Sequence, residues 1–229
     1  MGSDNYLCIS DTQHPYEAKN ALKFCKYVQK FFKIPKENII HVGDEVDSFH
    51  ASSYPKGADY PHTPGQELQE AVDKLKAWYD AFPICRVAIS NHMLRWQKKA
   101  SEAQIPSQLM KSHKEIIQAP NSWQWFNEII IKTKHPFKVI HGTKYSGNLG
   151  HRNAAIDNGM STAIGHLHSF AGVNRIKTTG LDIWAMNTGC LIDVEAYVFK
   201  YGEDSRFKPT LGVGVVLNNG LMPIWVPYE

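Results

Sequence analysis

The chain has few cysteines, no long apolar run and little net charge, and each of these absences excludes a class of protein. The four cysteines are scattered and form no CxxC pair, so we expect buried free thiols and a reducing, cytoplasmic location rather than disulfides. No apolar stretch approaches the length of a membrane span, and the N-terminal MGSDNY has no apolar core. Neither a membrane partner nor a signal peptide is therefore expected. A net charge of +3 gives no strong basic field over the whole protein.

The composition that remains is typical of one ordinary globular domain. The 229 residues are 43% apolar and 21% charged, which is enough to bury a core. No repeat or linker divides the chain, so we predict a single domain spanning residues 1–229. Its first half alternates strand-like and helix-like segments, and its second half is mostly strand-like. This pattern predicts an α/β fold with two sheets and helices on their outer faces.

The periodicity of apolar residues gives the individual elements. Strands are predicted at residues 6–9, 39–42, 85–89, 137–140, 162–164, 173–178, 183–186, 194–199, 211–217 and 221–226. Helices are predicted at residues 17–33, 64–82, 109–117, 123–130 and 151–159. Thr63, Pro64 and Gln66 form a capping-box pattern at one helix start, and Asn219-Gly220 predicts a hairpin.

Five short polar fragments follow predicted strands in a fixed order. They are DTQHPY from Asp11, GDEVD from Gly43, SNHM from Ser90, His141-Gly142 and GHLH from Gly165. In an α/β sheet, ligands collect beyond the carboxyl ends of the strands, so one shared site is expected. The fragments contain three Asp, one Gln, one Asn and five His, which include the ligand chemistry of two metal ions that share one carboxylate.

This order resembles that of the calcineurin-like metallophosphoesterases, whose motifs are DxH, GDxxD, GNH(E/D), a lone His and GHxH. The likeness extends from Asp11 to His168. It implies a two-sheet β-sandwich flanked by helices, with a dinuclear metal centre that activates water to hydrolyse phosphate esters. The implied ligands are Asp11, Gln13, Asp44 and His168 for the first ion, and Asp44, Asn91, His141 and His166 for the second.

The first fragment departs from the family pattern, because residue 13 is Gln where the motif has His. The following Pro15-Tyr16 resembles a DxHxPY form of the motif, which places Gln13 at the ligand position, bound through its amide oxygen. The adjacent His14 is the rival ligand, and a weakly held first ion is a third interpretation. Replacing an imidazole by a carbonyl oxygen favours Mn²⁺, with Mg²⁺, Fe and Zn²⁺ as alternatives.

The resemblance also implies residues that act on the substrate. His92 would face the scissile phosphate as a proton donor, and Asp47 would orient His92. Arg95 follows closely enough to reach a phosphate, and the run NHxxRW resembles phage-type members of the family. Ser90 and Met93 stand where the family usually has Gly and an acidic residue.

Together these features predict a hydrolase that acts on phosphoric esters, most simply a phosphodiesterase or nuclease acting on nucleic acid or nucleotides. Only Arg95 and Lys144 suggest themselves as fixed cations for a dianionic monoester. The alternatives are a phosphomonoesterase, and a metal-binding module on the same scaffold that has lost catalysis. The oligomeric state is left open by the sequence.

Overall fold

A computed structural model describes residues 4–54, 56, 60–196 and 206–229. These residues form eleven strands and five α-helices. The strands are β1 (Tyr6–Ile9), β2 (Ile39–His41), β3 (Cys85–Ala88), β4 (Trp123–Phe126), β5 (Ile129–Ile131), β6 (Phe137–Ile140), β7 (Ser161–Ile164), β8 (Gly172–Lys177), β9 (Asp182–Asn187), β10 (Gly212–Leu217) and β11 (Met222–Pro227). The helices are α1 (Ala21–Phe31), α2 (Pro64–Ala81), α3 (Arg95–Glu102), α4 (His113–Ile116) and α5 (Gly150–Asn158).

The strands form two mixed sheets, so the architecture is α/β. The six-stranded sheet has the order β11-β10-β1-β2-β3-β4, with β1 to β4 parallel and β10 antiparallel to both of its neighbours. The five-stranded sheet has the order β5-β6-β7-β9-β8, with β6, β7 and β9 parallel and the two edge strands antiparallel. The carboxyl ends of β1, β2 and β3 therefore meet at one edge, as do those of β6, β7 and β9.

The two sheets share one apolar core, because side chains alternate between the two faces of each strand. Tyr6 and Cys8 of β1 belong to a buried cluster with Phe137 of β6 and Trp184 of β9. The ring centroids of Tyr6 and Phe137 are 5.4 Å apart, and those of Phe137 and Trp184 are also 5.4 Å apart. The inner faces of the two sheets therefore pack against each other.

Helices cover the outer faces. Leu7 and Ile9, which alternate with the inward residues of β1, pack in a second cluster with Cys25 of α1 and Leu75 of α2. On the other side of the molecule, Ala155 of α5 packs in a cluster with residues of β8 and β9. This layering is compatible with the two-sheet sandwich expected from the sequence.

Most elements predicted from the sequence are found in the structure. Helix α2 begins with the predicted capping box: the Gln66 N–H donates to Thr63 Oγ1 (3.3 Å), and the Thr63 N–H donates to Gln66 Oε1 (2.8 Å). Strands β10 and β11 pair antiparallel across the Asn219-Gly220 turn. Within the described residues, no helix is long and apolar enough to cross a bilayer.

The helix predicted at residues 123–130 is wrong, since this segment contains β4 and the start of β5. Its burial alternates along the chain, with Trp123 buried and Gln124 exposed, which is the two-residue period of a strand and not the period of a helix. The helix predicted at 109–117 is shorter than expected, and α3 was not predicted as a separate element. Of the strand predicted at 194–199, residues 194–196 form a turn and not a strand, and residues 197–199 lie outside the described residues.

Candidate metal centre

The loops that follow β1 and β2 run side by side and are joined by backbone hydrogen bonds. The Asp11 N–H donates to the carbonyl oxygen of Gly43 (3.1 Å), and the Gln13 N–H donates to that of Asp44 (2.9 Å). Asp11, Gln13 and Asp44 have φ angles of 47°, 46° and 53°. Positive φ is uncommon for residues with a side chain, and such residues cluster at functional sites. These turns bring three polar side chains to one edge of the sheet.

Asp44 lies at the centre of this edge and is 1% exposed. Its N–H donates to Ser90 Oγ (2.9 Å), and its Oδ1 accepts from the His92 N–H (3.2 Å). Its Oδ2 lies 3.2 Å from His141 Nε2 and accepts no hydrogen bond within the described residues. Burial acts to raise the pKa of Asp44, but the charges of His141 and His92 hold it well below its usual range. Asp44 is therefore ionised, with one oxygen available to a cation.

Three atoms that carry lone pairs converge at His141. Its Nδ1 lies 3.0 Å from the carbonyl oxygen of Val42, and because a carbonyl oxygen only accepts, Nδ1 carries a proton. In the neutral ring, Nε2 then presents a lone pair to Asn91 Oδ1 (2.9 Å) and Asp44 Oδ2 (3.2 Å). Three facing acceptors need either a proton or a cation among them. Burial acts to lower the pKa of His141, but the charge of Asp44 raises it to about 9. The position between these three atoms therefore favours a positive charge.

His166 completes this first group of ligands. One ligand atom from each of Asp44, His141 and His166 lies within 4.8 Å of the others, and the rings of the two histidines have centroids 5.1 Å apart. Burial, followed by the charge of His141, lowers the pKa of His166, which favours the neutral ring that binds metals. Asp44, Asn91, His141 and His166 together offer two oxygen and two nitrogen ligands. This set fits a divalent cation.

A second set surrounds Asp11, whose carboxylate is buried. Ser10 Oγ donates to Asp11 Oδ2, and the His168 Nε2 lies 3.2 Å from Asp11 Oδ1. Gln13 Nε2 lies 3.2 Å from the same nitrogen of His168, while Gln13 Oε1 is buried and has no hydrogen-bond partner in the described residues. Turning the amide over would exchange its oxygen and nitrogen without changing its shape. The set therefore fits a second cation, provided that Gln13 turns its oxygen towards His168.

The structure places Gln13, and not His14, beside the other ligands. His14 Nδ1 lies 2.7 Å from the carbonyl oxygen of Glu45, and its ring packs edge-on to Trp78 with centroids 5.4 Å apart. Burial lowers the pKa of His14 to about 3. His14 thus belongs to the packing between this loop and α2.

The predicted contact between Asp47 and His92 is replaced by a chain of contacts through Arg95. Asp47 Oδ2 lies 3.8 Å from His92 Nδ1, which is too far for a hydrogen bond. Arg95 Nη1 instead donates to the Asp47 side chain (2.9 Å) and backbone carbonyl (2.7 Å), and Arg95 Nη2 donates to His92 Nε2 (2.6 Å). The physical reason is that the first turn of α3 lies over this loop and brings a bidentate guanidinium between the two side chains. Asp47 therefore positions His92 indirectly.

His92 and Arg95 line a cleft of about 340 Å³ that also exposes the two groups of ligands. Asp44, Asn91 and His168 contribute to the same wall. Burial lowers the pKa of His92 to about 3, with the charge of Asp44 opposing this shift, so the ring is neutral at pH 7. A molecule in this cleft would touch both the candidate ligands and the His92–Arg95 pair.

Several supporting residues were missed by the sequence analysis. Ser90 was noted only as a departure from the family pattern, yet its hydroxyl accepts the Asp44 N–H. Asn187, at the end of β9, donates from Nδ2 to the carbonyl oxygens of Leu167 and Ser169 (both 2.9 Å). These bonds hold the segment that carries His168. The signal that could have pointed to Asn187 is its place directly after the predicted strand 183–186, since the other site residues also follow predicted strands.

Gly165 shows why this segment needs a residue without a side chain. A Cβ atom at Gly165 would lie 2.0 Å from Ser10 Oγ and 2.6 Å from Asp11 Oδ2. The two loops can approach each other only because this position has no Cβ.

Comparison with known proteins adds no relative. No protein-family model matches the chain, and no curated protein matches it. The interpretation of the site therefore depends on its own geometry and on the motif order.

Proposed function

We propose that the protein is a metal-dependent phosphoesterase that uses two divalent ions to hydrolyse phosphodiesters of nucleic acid or nucleotides. The observation that carries this proposal is the convergence of Asp44 Oδ2 and Asn91 Oδ1 on His141 Nε2, at 3.2 Å and 2.9 Å, which places three acceptor atoms around one position for a proton or a metal ion. A merely structural cluster would pair acceptors with donors.

The residues that would hold the ions follow from the two groups described above. Asp44, Asn91, His141 and His166 would hold one ion, and Asp11, Gln13 and His168 would hold the other. Asp44 would be shared between the two ions, as the motif order implies. Bound there, divalent cations would act as Lewis acids that polarise the phosphate ester and the attacking water. Oxygen ligands make up much of both sets, which favours Mn²⁺ or Mg²⁺ over softer metals.

The chain's own contribution to the reaction is assigned to His92, Arg95 and Asp47. His92 lines the cleft and would give a proton to the leaving oxygen of the ester, once the negative charge of the bound phosphate raises the pKa of the ring from about 3. Arg95 fixes the ring through Nε2 and presents its guanidinium to the same cleft, while Asp47 holds Arg95. A metal-binding module without catalytic activity would have no use for these three residues.

The charge of the cleft favours a diester over a monoester. Arg95 is the one Lys or Arg among the described residues that line it, and its charge is already opposed by Asp47 at 2.9 Å. A dianionic monoester would gain from additional cations beside the metals. A monoanionic diester needs fewer.

The test compares hydrolysis of bis(p-nitrophenyl) phosphate and p-nitrophenyl phosphate with Mn²⁺, together with metal analysis of wild type and Asp44→Ala. We expect diester hydrolysis by the wild type, and loss of both activity and metal in the variant, because Asp44 is the shared ligand. Asp73→Ala is the control, since that carboxylate is exposed on α2 and, among the described residues, pairs only with Lys76 and Gln69.

Three results would contradict the proposal in different ways. Two metals retained by Asp44→Ala would refute the ligand assignment. Hydrolysis of the monoester alone would favour a phosphatase. Metal binding by the wild type without hydrolysis of either ester would favour the module that has lost catalysis.

A further inference from the structure

A second cleft, of about 460 Å³, opens next to the one that exposes the ligands. Its walls are the segment 51–54 on one side and the first two turns of α3 on the other. We call it the α3 cleft. Tyr54, Asn91 and Arg95 line both clefts, so the two form one continuous depression. A substrate held at the metal ligands would therefore extend into the α3 cleft if it continued beyond the reacting phosphate.

The α3 cleft carries cations that the first cleft lacks. Lys98 and Lys99 line it, three and four residues after Arg95, which corresponds to about 5–6 Å along the helix axis. Lys99 pairs with Glu102 at 3.1 Å, whereas Lys98 has no ion-pair partner among the described residues. The two lysines thus lie about one turn of α3 beyond Arg95, on the wall that the next phosphate of a bound strand would face.

The opposite wall is held in place by another lysine. Lys56 Nζ donates to Ser52 O (2.7 Å), Ser52 Oγ (3.2 Å) and Tyr54 O (2.8 Å). Burial, and then the charges of Lys99 and Arg95, lower the pKa of Lys56. Lys56 therefore fixes the backbone of the segment that forms this wall.

The same cleft also offers apolar surface. Tyr54 is 44% exposed and Leu94 is 41% exposed, and both line the α3 cleft. Aromatic rings beside a basic groove are the usual means by which proteins bind unpaired bases, because every base has a face that can stack. A paired base would have that face covered by its neighbours in the duplex.

We propose that the α3 cleft binds the nucleotide next to the scissile phosphate, with its phosphate at Lys98 and Lys99 and its base against Tyr54. The substrate is then a single strand of nucleic acid longer than a mononucleotide. This inference deepens the proposed function and rests on it for the position of the reacting phosphate.

The experiment measures binding and turnover separately. Binding of a short fluorescein-labelled oligothymidylate is followed by fluorescence anisotropy in EDTA, and hydrolysis of bis(p-nitrophenyl) phosphate is followed with Mn²⁺. The variant Lys98→Ala/Lys99→Ala is compared with Lys23→Ala/Lys26→Ala. The control removes two exposed lysines from α1, which does not line the cleft.

We expect Lys98→Ala/Lys99→Ala to weaken oligonucleotide binding roughly tenfold and to reduce the slope of log K against log salt by about 1.4, which is 0.7 per lost contact to a single strand. Its turnover of the small diester should stay at the wild-type rate. Tyr54→Ala should weaken binding by roughly tenfold for the ordinary strand, but not for an abasic strand, since only stacking is lost. The control variant should change binding by less than about twofold.

Equal binding by Lys98→Ala/Lys99→Ala and its control would overturn the inference, and so would an equal effect of Tyr54→Ala on the ordinary and abasic strands. Hydrolysis of the small diester by a wild type that binds no oligonucleotide would overturn the inference and leave the proposed function standing. Cleft-dependent binding by a wild type that hydrolyses no ester would support the cleft assignment and refute the proposed function.

Discussion

Gly43→Ala is the smallest change that should damage the candidate site, because it adds one methyl group at its most crowded point. Gly43 lies in the loop that follows β2 and has a φ of 107°, which residues with a side chain rarely adopt. A Cβ at this position would lie 2.7 Å from His141 Nδ1, 2.7 Å from Ser90 Cβ and 3.0 Å from the carbonyl oxygen of Ala88. The two contacts at 2.7 Å are closer than real Cβ atoms make, and the third is unusually tight, so something must move.

The magnitude follows from two contributions. A side chain at a disfavoured positive φ costs of order 1–3 kcal/mol, and forcing a methyl group into a filled site costs roughly 1–3 kcal/mol more. We therefore expect the free energy of unfolding to fall by roughly 2–6 kcal/mol. Of the three neighbours, the His141 ring is the one that we expect to shift. Such a shift would disturb its hydrogen bond from Nδ1 to the carbonyl oxygen of Val42, which orients the ring. Disturbing a partner that orients a ligand typically weakens metal affinity by about 10–100-fold.

The assay is urea unfolding in EDTA, followed by calorimetric titration with Mn²⁺. Gly65→Ala is the matched control, because a Cβ at Gly65 meets nothing within 4 Å and the position lies in α2. The control should be neutral or slightly more stable. A Gly43→Ala protein with wild-type stability and wild-type Mn²⁺ affinity would refute the claim that His141 approaches this backbone closely in order to bind a cation.

Three further predictions concern individual side chains. His92→Ala should keep its metals but lose roughly 10²–10⁴-fold in turnover of esters with poor leaving groups, and equal losses for good and poor leaving groups would contradict its role as proton donor. Gln13→His should bind transition metals more tightly, as measured by titration. If His14→Ala loses a metal ion and Gln13→Ala does not, His14 and not Gln13 is the ligand. Burial acts to raise the pKa of Glu45, but its hydrogen bond and ion pair with His113 lower it to about 2. The ionised Glu45 carboxylate therefore makes its full contribution to the free energy of unfolding above the pKa of about 4.3 that Glu has in the unfolded chain. This contribution, roughly 3 kcal/mol, is lost as the pH falls from there through 2. Urea midpoints between pH 2 and 5 should therefore fall less steeply for Glu45→Gln than for the wild type, and parallel slopes would exclude this contribution.

The sequence was sufficient for the elements that have a clear period or a clear stop signal. Strand β1 is a short apolar run that stops at the polar residues Ser10 and Asp11, and α2 has a capping box at its start and Pro83 just beyond its end. These signals are local, so they do not depend on the rest of the chain. The segment 123–130 was misread because its strands have four and three residues. Runs that short are too brief to separate a period of two from one of 3.6, and pairing with β3 decides the outcome.

The sequence could also predict which residues would meet, but not how each would be held. Parallel strands bring their carboxyl ends to one edge whatever side chains follow, so the polar fragments after β1, β2 and β3 had to lie near one another. The loop conformations were less predictable. Gln13 adopts a positive φ, which single-residue preferences would have argued against. Hydrogen bonds to other segments stabilise these turns, such as the one that the Asp44 N–H donates to Ser90 Oγ.

The contact between Asp47 and Arg95 shows where reasoning from motifs stops. The motif implies that Asp47 orients His92, because the loops after β2 and β3 bring the two residues together. They are close in the structure, with Asp47 Oδ2 3.8 Å from His92 Nδ1. Differences of about one ångström decide which of two nearby groups a buried carboxylate binds. The guanidinium of Arg95 also offers two donors where the imidazole offers one. That choice depends on the position of α3, an element that the sequence did not predict separately. The same element carries Lys98 and Lys99 to the cleft beyond the ligands. Both the way His92 is held and the surface proposed to select the substrate therefore depend on one helix of eight residues.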